Sequence, residues 1–459
     1  MKLRRPSPFI GTVIVLLILL AGGFVSIQEH LLVKRTDPET TAMTATELTD
    51  TASVSSPAPD SAHDAEGARA LSELAVSLLQ HDAAVIDGEN SLVSPLSVAN
   101  ALGLAANGAK GTTLAQMEQV LGLDVVSLNE YLATQRLHEP ADGTESEPSV
   151  SLSNSIWIHD TPDFEANEAF LQTAASWYGA SVFSAPFDAT TIKDINAWVE
   201  DGTDGMIEEM LPVDQEIPER AMLYLMNALA FEGAWKDPVD DAFVETASFT
   251  REDGSIEDAE LMFCLEDRYL ELDVNSGAAA TDEATSAAIP DAQRLTGFMK
   301  PYQGGTYAFV ALLPPEGMTV EQTLGCLDGD VLAELLENPW YNPVDAYLPK
   351  FSYDTEMELV DTLGSLGMAD ALDPDRADFS GVGSGVPLYI SRVLHKTHIE
   401  VDQEGTSAAA ATAVEMEAGS SAPGEPLEPK IVRLDRPFIY LIVDTTANTL
   451  LFLGAYMGA

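Results

Sequence analysis

Residues 405–413 read GTSAAAATA, nine positions without a charge, a proline or a large side chain. An alanine run favours helix by propensity, so the plain alternatives are a small buried helix or a linker. The surroundings point elsewhere. The run follows an alternating stretch at 395–401, precedes an irregular one at 415–429, and stands ahead of two apolar C-terminal runs. A segment of small residues can slot between two existing strands, because it displaces little volume on either face and gains ladder hydrogen bonds. The chemistry on offer is mechanical: strand insertion. Other chemistries lack their residues. There is no HExxH and no GK[ST] loop, the seven His are scattered, and Cys264 and Cys326 form no CxxC pair. That removes zinc ribbons, iron–sulfur centres and a disulfide scaffold. The two cysteines are read either as a bridge formed outside the cytoplasm or as two isolated buried thiols. No metal, no cofactor and no catalytic nucleophile with its base is expected.

An inserting segment needs a sheet to receive it. Val150, Leu152, Asn154, Ile156 and Ile158 alternate with polar neighbours, which predicts a strand. The nearly continuous apolar runs 222–231, 307–313, 438–443 and 449–456 predict strands covered on both faces. Leu71, Leu74, Ala75, Leu78 and Leu79 share one helical face, and further helices are expected near 96–107, 113–121, 167–178 and 192–200. Helices gather in the first half and strands in the second, so one large α+β domain is expected rather than alternating βα units.

Ahead of that domain stand three shorter stretches. Residues 1–8 are basic, and 9–27 run uncharged as a signal anchor or a signal peptide. Ala21-Gly22-Gly23 favours cleavage, while Phe24, Val25 and Ile27 keep the segment apolar to nearly bilayer length. Both readings export the remainder, making the protein extracellular or held at the cell surface. Residues 28–66 read as a flexible low-complexity stalk, and 67–459 as the folded domain. The 459 residues carry a net charge of −52. Residues 1–35 account for +4, leaving −56 for the rest. Such a surface repels phosphate, so no nucleic acid is expected as a partner.

The sequence resembles the serpin family over about 66–459. EGTSAAAATA from Glu404 is similar to the hinge of inhibitory members. Ser94-Pro95-Leu96-Ser97 with Ala109-Lys110-Gly111-Thr112-Thr113 and Gln116 matches the first helical signature, and 227–235 (NALAFEGAW) matches the sheet-strand signature. Leu348-Pro349-Lys350-Phe351, Ala377-Asp378-Phe379-Ser380, Asp435-Arg436-Pro437-Phe438 and Phe452-Leu453-Gly454 follow in the family's order. The resemblance is to an inhibitory, prokaryotic-type member. It implies three β-sheets, about eight or nine helices, and an exposed reactive-centre loop over about 404–429.

The resemblance also implies a mechanism. A serine protease would cut the loop and be trapped as a covalent acyl complex while the loop enters the central sheet. Glu404, Gly405, Thr406, Ser407, Ala408, Ala409, Ala410 and Ala411 would form the hinge. Ser94, Ser97, Asn227 and His395 would form a shutter beneath the sheet, and Trp235, Lys350 and Gln403 a breach where insertion starts. Lys350 in the family faces an acid; here the matching residue is Gln403, which would exchange an ion pair for a neutral hydrogen bond. Counting fifteen from Gly405 places the reactive bond at Gly419 and Ser420, with a shift of a residue or so left open. No Lys or Arg occurs over 406–429, so an elastase-like or subtilisin-like target is expected rather than a trypsin-like one; Glu415 and Glu417 leave a glutamate-specific protease as a lesser choice. The protein is expected to act as a monomer and not as an enzyme. The competing reading is a non-inhibitory member serving as a binding module or a simple protease substrate.

Overall fold

The computed structural model describes residues 43–49, 61–137, 148–203, 205–207, 209–406 and 427–459. The chain divides into units 1–44 and 45–459, and the fold below is that of the second. Its described residues form three sheets of seven, ten and two strands. Eleven α-helices accompany them; two, Ala83–Ile86 and Glu283–Ser286, are single turns. Setting these aside leaves the number expected from the sequence, so the architecture is the α+β one anticipated.

The seven-stranded sheet runs in the order Thr46–Glu47, Ser181–Ala185, Ser149–His159, Leu223–Ala234, Gly405–Thr406, Ile390–Val401, Phe351–Glu358. Leu223–Ala234 is buried at nearly every position, which explains why its sequence reads as one apolar run. Beneath lies helix Pro95–Ala106, buried along its whole length. Ser94 starts that helix by accepting the Ser97 amide on its side chain, and Pro95 occupies the first turn, where no amide is needed. The ten-stranded sheet contains Ile256–Asp273, Arg294–Pro301, Tyr307–Leu313, Trp340–Pro349, Phe438–Asp444 and Thr449–Tyr456. Ile256–Asp273 escaped the sequence reading because its outward positions carry Glu260, Asp267 and other acids that interrupt the apolar pattern.

Part of the stretch read as a stalk is paired. Thr46–Glu47 adds an antiparallel strand to the edge formed by Ser181–Ala185. The Leu48 amide donates to Val182 O (2.7 Å), and the Val182 amide donates to Thr49 Oγ1 (3.1 Å). The opposite edge, Phe351–Glu358, presents Asp354, Glu356 and Glu358, charges of the sort that discourage pairing with another chain. No helix among the described residues is long and apolar enough to cross a membrane; residues 9–27 lie outside them.

Candidate functional site

The small-residue segment begins inside the sheet. After strand Ile390–Val401 the chain turns tightly: the Asp402 carboxylate accepts the amides of Glu404 (2.8 Å) and Gly405 (3.1 Å), and the Asp402 amide donates to Gly405 O (3.0 Å). Gly405 then pairs with Ala234, and Thr406 with both Gly233 and Val401. Thr406 is 1% exposed. The first two hinge residues, expected in an exposed loop, are therefore buried between two strands. Ser407, Ala408, Ala409, Ala410, Ala411, Gly419 and Ser420 lie outside the described residues.

Below Thr406 the two flanking strands run apart and then join. Residues 223–228 pair in parallel with 390–396, with one irregularity near the start, and that ladder ends at Ala228 and Lys396. Four positions on each strand, 229–232 and 397–400, thus separate the closed ladder from the seated hinge. The site is a wedge, parted at the hinge end and shut at the other.

Aromatic rings line its mouth. Trp235 is fully buried and stacks on Tyr302 with centroids 4.6 Å apart at 15°. Its indole donates to Asp402 O (2.8 Å) and its amide to Glu404 O (2.8 Å). Tyr302 OH hydrogen-bonds Thr406 Oγ1 at 2.6 Å. Burial pushes the Tyr302 phenol well above its ordinary value, so it stays protonated. Gly233 leaves the space these rings need: a Cβ there would sit 2.9–3.0 Å from Phe231 and Tyr302 ring carbons. Lys300 lies over the Trp235 ring at 5.1 Å and pairs with Glu266 at 3.0 Å, both side chains buried. Burial works against the Lys300 charge, but the Glu266 carboxylate outweighs it and holds Lys300 above its usual value.

Lys350 and Gln403 do not meet as expected. Lys350 pairs with Glu260 at 3.4 Å, while Gln403 Nε2 donates to Asp241 Oδ1 at 2.6 Å and Gln403 O accepts the Val239 amide. Each has found an acid of its own, because the loop base supplies no carboxylate at 403. Cys264 and Cys326 are free, which leaves the isolated-thiol reading. Burial pushes the Cys264 thiol up to about 11, so it is inert at neutral pH.

The four predicted shutter residues do come together beneath the wedge's closed end. His395 and Asn227 face each other across the parallel ladder, and Asn154 pairs with Asn227 from the other side. Asn227 Nδ2 donates to Asn154 Oδ1. His395 Nε2 accepts the Ser94 amide (3.0 Å) and Ser94 Oγ accepts the Ser97 amide (3.2 Å). Burial lowers the His395 pKa to about 4, so the ring is neutral and its proton sits on Nδ1. Sequence reasoning missed Tyr302, Asp402 and Asn154 as site residues. Asn154 left a signal, being an amide at an inward position of an alternating strand; Tyr302 left none, since its contact is made between two sheets.

A family profile described as serpin (serine protease inhibitor) matches residues 69–458. The chain is 28% identical over 395 residues to neuroserpin of Gallus gallus, covering 84% of this chain and 90% of that one. It is 29% identical over 377 residues to an uncharacterized serpin-like protein of Thermococcus kodakarensis, covering 81% of each. Among solved structures, the native state of the thermophilic serpin tengpin superposes with a TM-score of 0.76 at 37% identity, covering 90% of this chain and all of that one. Tengpin in its latent state superposes at 0.69 and 34% identity, covering 88% of this chain and again all of that one.

Proposed function

This chain belongs to the serpin family, and on that premise we propose that it is an extracytoplasmic suicide-substrate inhibitor of serine proteases. The observation that carries this reading is Thr406 seated between Gly233 and Val401 with an unpaired stretch of both strands ahead of it. The target's serine attacks the carbonyl of Gly419 or a neighbour, the amine of the following residue leaves, and an ester joins loop to protease. The freed segment continues the strand that Thr406 has begun.

The register supports full insertion. Antiparallel extension from Thr406 sets Ser407 opposite Glu232 and Glu400, and Thr412 opposite Asn227 and His395. Because Thr406 faces inward, so do Ala408, Ala410, Thr412, Val414, Met416 and Ala418, while Glu415 and Glu417 fall on the solvent side. The loop's own alternation thus matches the face it would bury. Residues 407–410 enter the unpaired stretch; from Ala411 onward each inserted residue parts one existing pair and forms ladders with both strands. The protease, carried along, loses the geometry that deacylation requires.

Small residues around the cut favour a shallow primary pocket, and the absence of Lys and Arg over 406–429 excludes an acidic one. The apolar stretch 9–27 supports export. The test is incubation of the full-length chain with elastase-like and subtilisin-like proteases, read by denaturing gel and by mass spectrometry of the released peptide. A complex that survives SDS is expected. Cleavage without any such complex overturns the inhibitor reading and favours a binding module or a simple substrate.

A further inference from the structure

Tyr302 occupies the turn between strands Arg294–Pro301 and Tyr307–Leu313 of the ten-stranded sheet. Backbone bonds fix it there: its amide donates to Tyr307 O (3.0 Å), and the Gln303 amide donates to Ala234 O (2.9 Å). A β-bridge ties it to Trp235. Its ring is fully buried against Trp235 and Phe231. Phenylalanine would satisfy all of that packing, so the hydroxyl is superfluous to the aromatic cluster. It is used only at its tip, where it meets Thr406 Oγ1 at 2.6 Å and either hydroxyl can donate.

We propose that Tyr302 is a positioning residue for the loop: its hydroxyl keeps Thr406 seated in the seven-stranded sheet before any protease arrives. Withdrawal of Thr406 strands a buried phenol hydroxyl, which sets an energetic bias toward the seated state. The latch is mounted on the ten-stranded sheet, so it stays in place while strands Leu223–Ala234 and Ile390–Val401 part. That it also shortens the interval between cleavage and insertion rests on the inhibitory reading above; that it seats Thr406 does not.

Hydrogen exchange of the Gly405 and Thr406 amides in the intact, uncleaved chain tests the seating. Tyr302→Phe and Thr406→Val are each expected to speed exchange about 3- to 10-fold, the range for one buried hydrogen bond. The double variant should be no faster than the quicker single one, and Thr406→Ser should stay near wild type. Exchange in strand Phe438–Asp444, far along the other sheet, should not change, which separates a local release from general loosening. Unchanged exchange in Tyr302→Phe, or single effects that multiply in the double variant, overturns the latch. Should Tyr302→Phe not fold, Thr406→Val against Thr406→Ser decides alone: equal exchange in the two overturns it. With an elastase-like protease, Tyr302→Phe should raise the number of inhibitor molecules consumed per protease trapped. Altered exchange with no trapping by the wild type refutes the inhibitory reading and leaves the latch standing; trapping with unaltered exchange does the reverse.

Discussion

His395 is buried with its ring neutral, and that makes native stability depend on pH. The unfolded chain takes up a proton near the ordinary histidine value of 6.5, the folded one only near 4. Between these values the unfolded state binds more protons, so stability rises with pH across the window and is complete above its upper end. The full span amounts to about 3 kcal/mol. The urea midpoint of the wild type should therefore fall on acidification from pH 6.5 to 4 by more than that of His395→Gln; parallel pH profiles would remove His395 as the cause. At this scale the sequence was legible where a residue's type is unusual for its place. Ser94, Ser97, Asn227 and His395 are polar groups in apolar surroundings, and the resemblance named them. Tyr302 and the Lys300–Glu266 pair were not legible, because their meaning lies in contacts between segments distant in sequence.

For single elements, the hinge carries the strongest prediction. Thr406 is enclosed, with Gly233 and Val401 to either side and Tyr302 against its hydroxyl. Arginine there would either bury an unpaired charge or force the hinge out of the sheet. Thr406→Arg should thus convert inhibition to turnover, with the protease recovering nearly full activity after the loop is cut; retained inhibition would refute insertion. Most elements were legible from period and caps. Ser149–His159, Tyr307–Leu313 and Phe438–Asp444 fall where alternation or apolar runs put them, and helix Ala189–Gly202 starts at an Asp188 capping box. Helix Val125–Leu137 was overlooked, since two β-branched residues open it and no charged or capping pair marks its first turn. The two-residue strand Gly405–Thr406 could not be read from propensity at all. Alanine-rich sequence favours helix, and only the neighbouring strands Leu223–Ala234 and Ile390–Val401 make it a strand.

For the molecule as a whole, two quantities matter: its charge and its reserve of unformed pairing. The net −52 should draw basic proteases by long-range attraction. Their association rate should fall about tenfold or more as salt is raised from ~0.05 to ~0.5 M, whereas an acidic protease of similar specificity should show no such fall. Equal salt dependence for the two would show that the surface field plays no part in capture. Cleavage within 407–426 should release the reserve. A loop of a dozen residues bonded on both sides gains enough to raise the thermal midpoint by at least about 10 °C, and a midpoint unmoved by cleavage would favour the binding-module reading. Length alone had suggested two or three domains; the described fold shows why one suffices, since both large sheets share a continuous core.

The wedge has a further consequence. Its strands are unpaired over four positions and then closed residue by residue, so the sheet is graduated like a ruler along which progress can be halted at a chosen mark. Proline breaks a ladder wherever it arrives. Placed at Ala408 it should stop travel before any native pair is disturbed; at Thr412 or Val414 it should stop travel one or a few pairs further on. Amide exchange along 223–228 would read each stopping point, turning a single irreversible event into a series of frames.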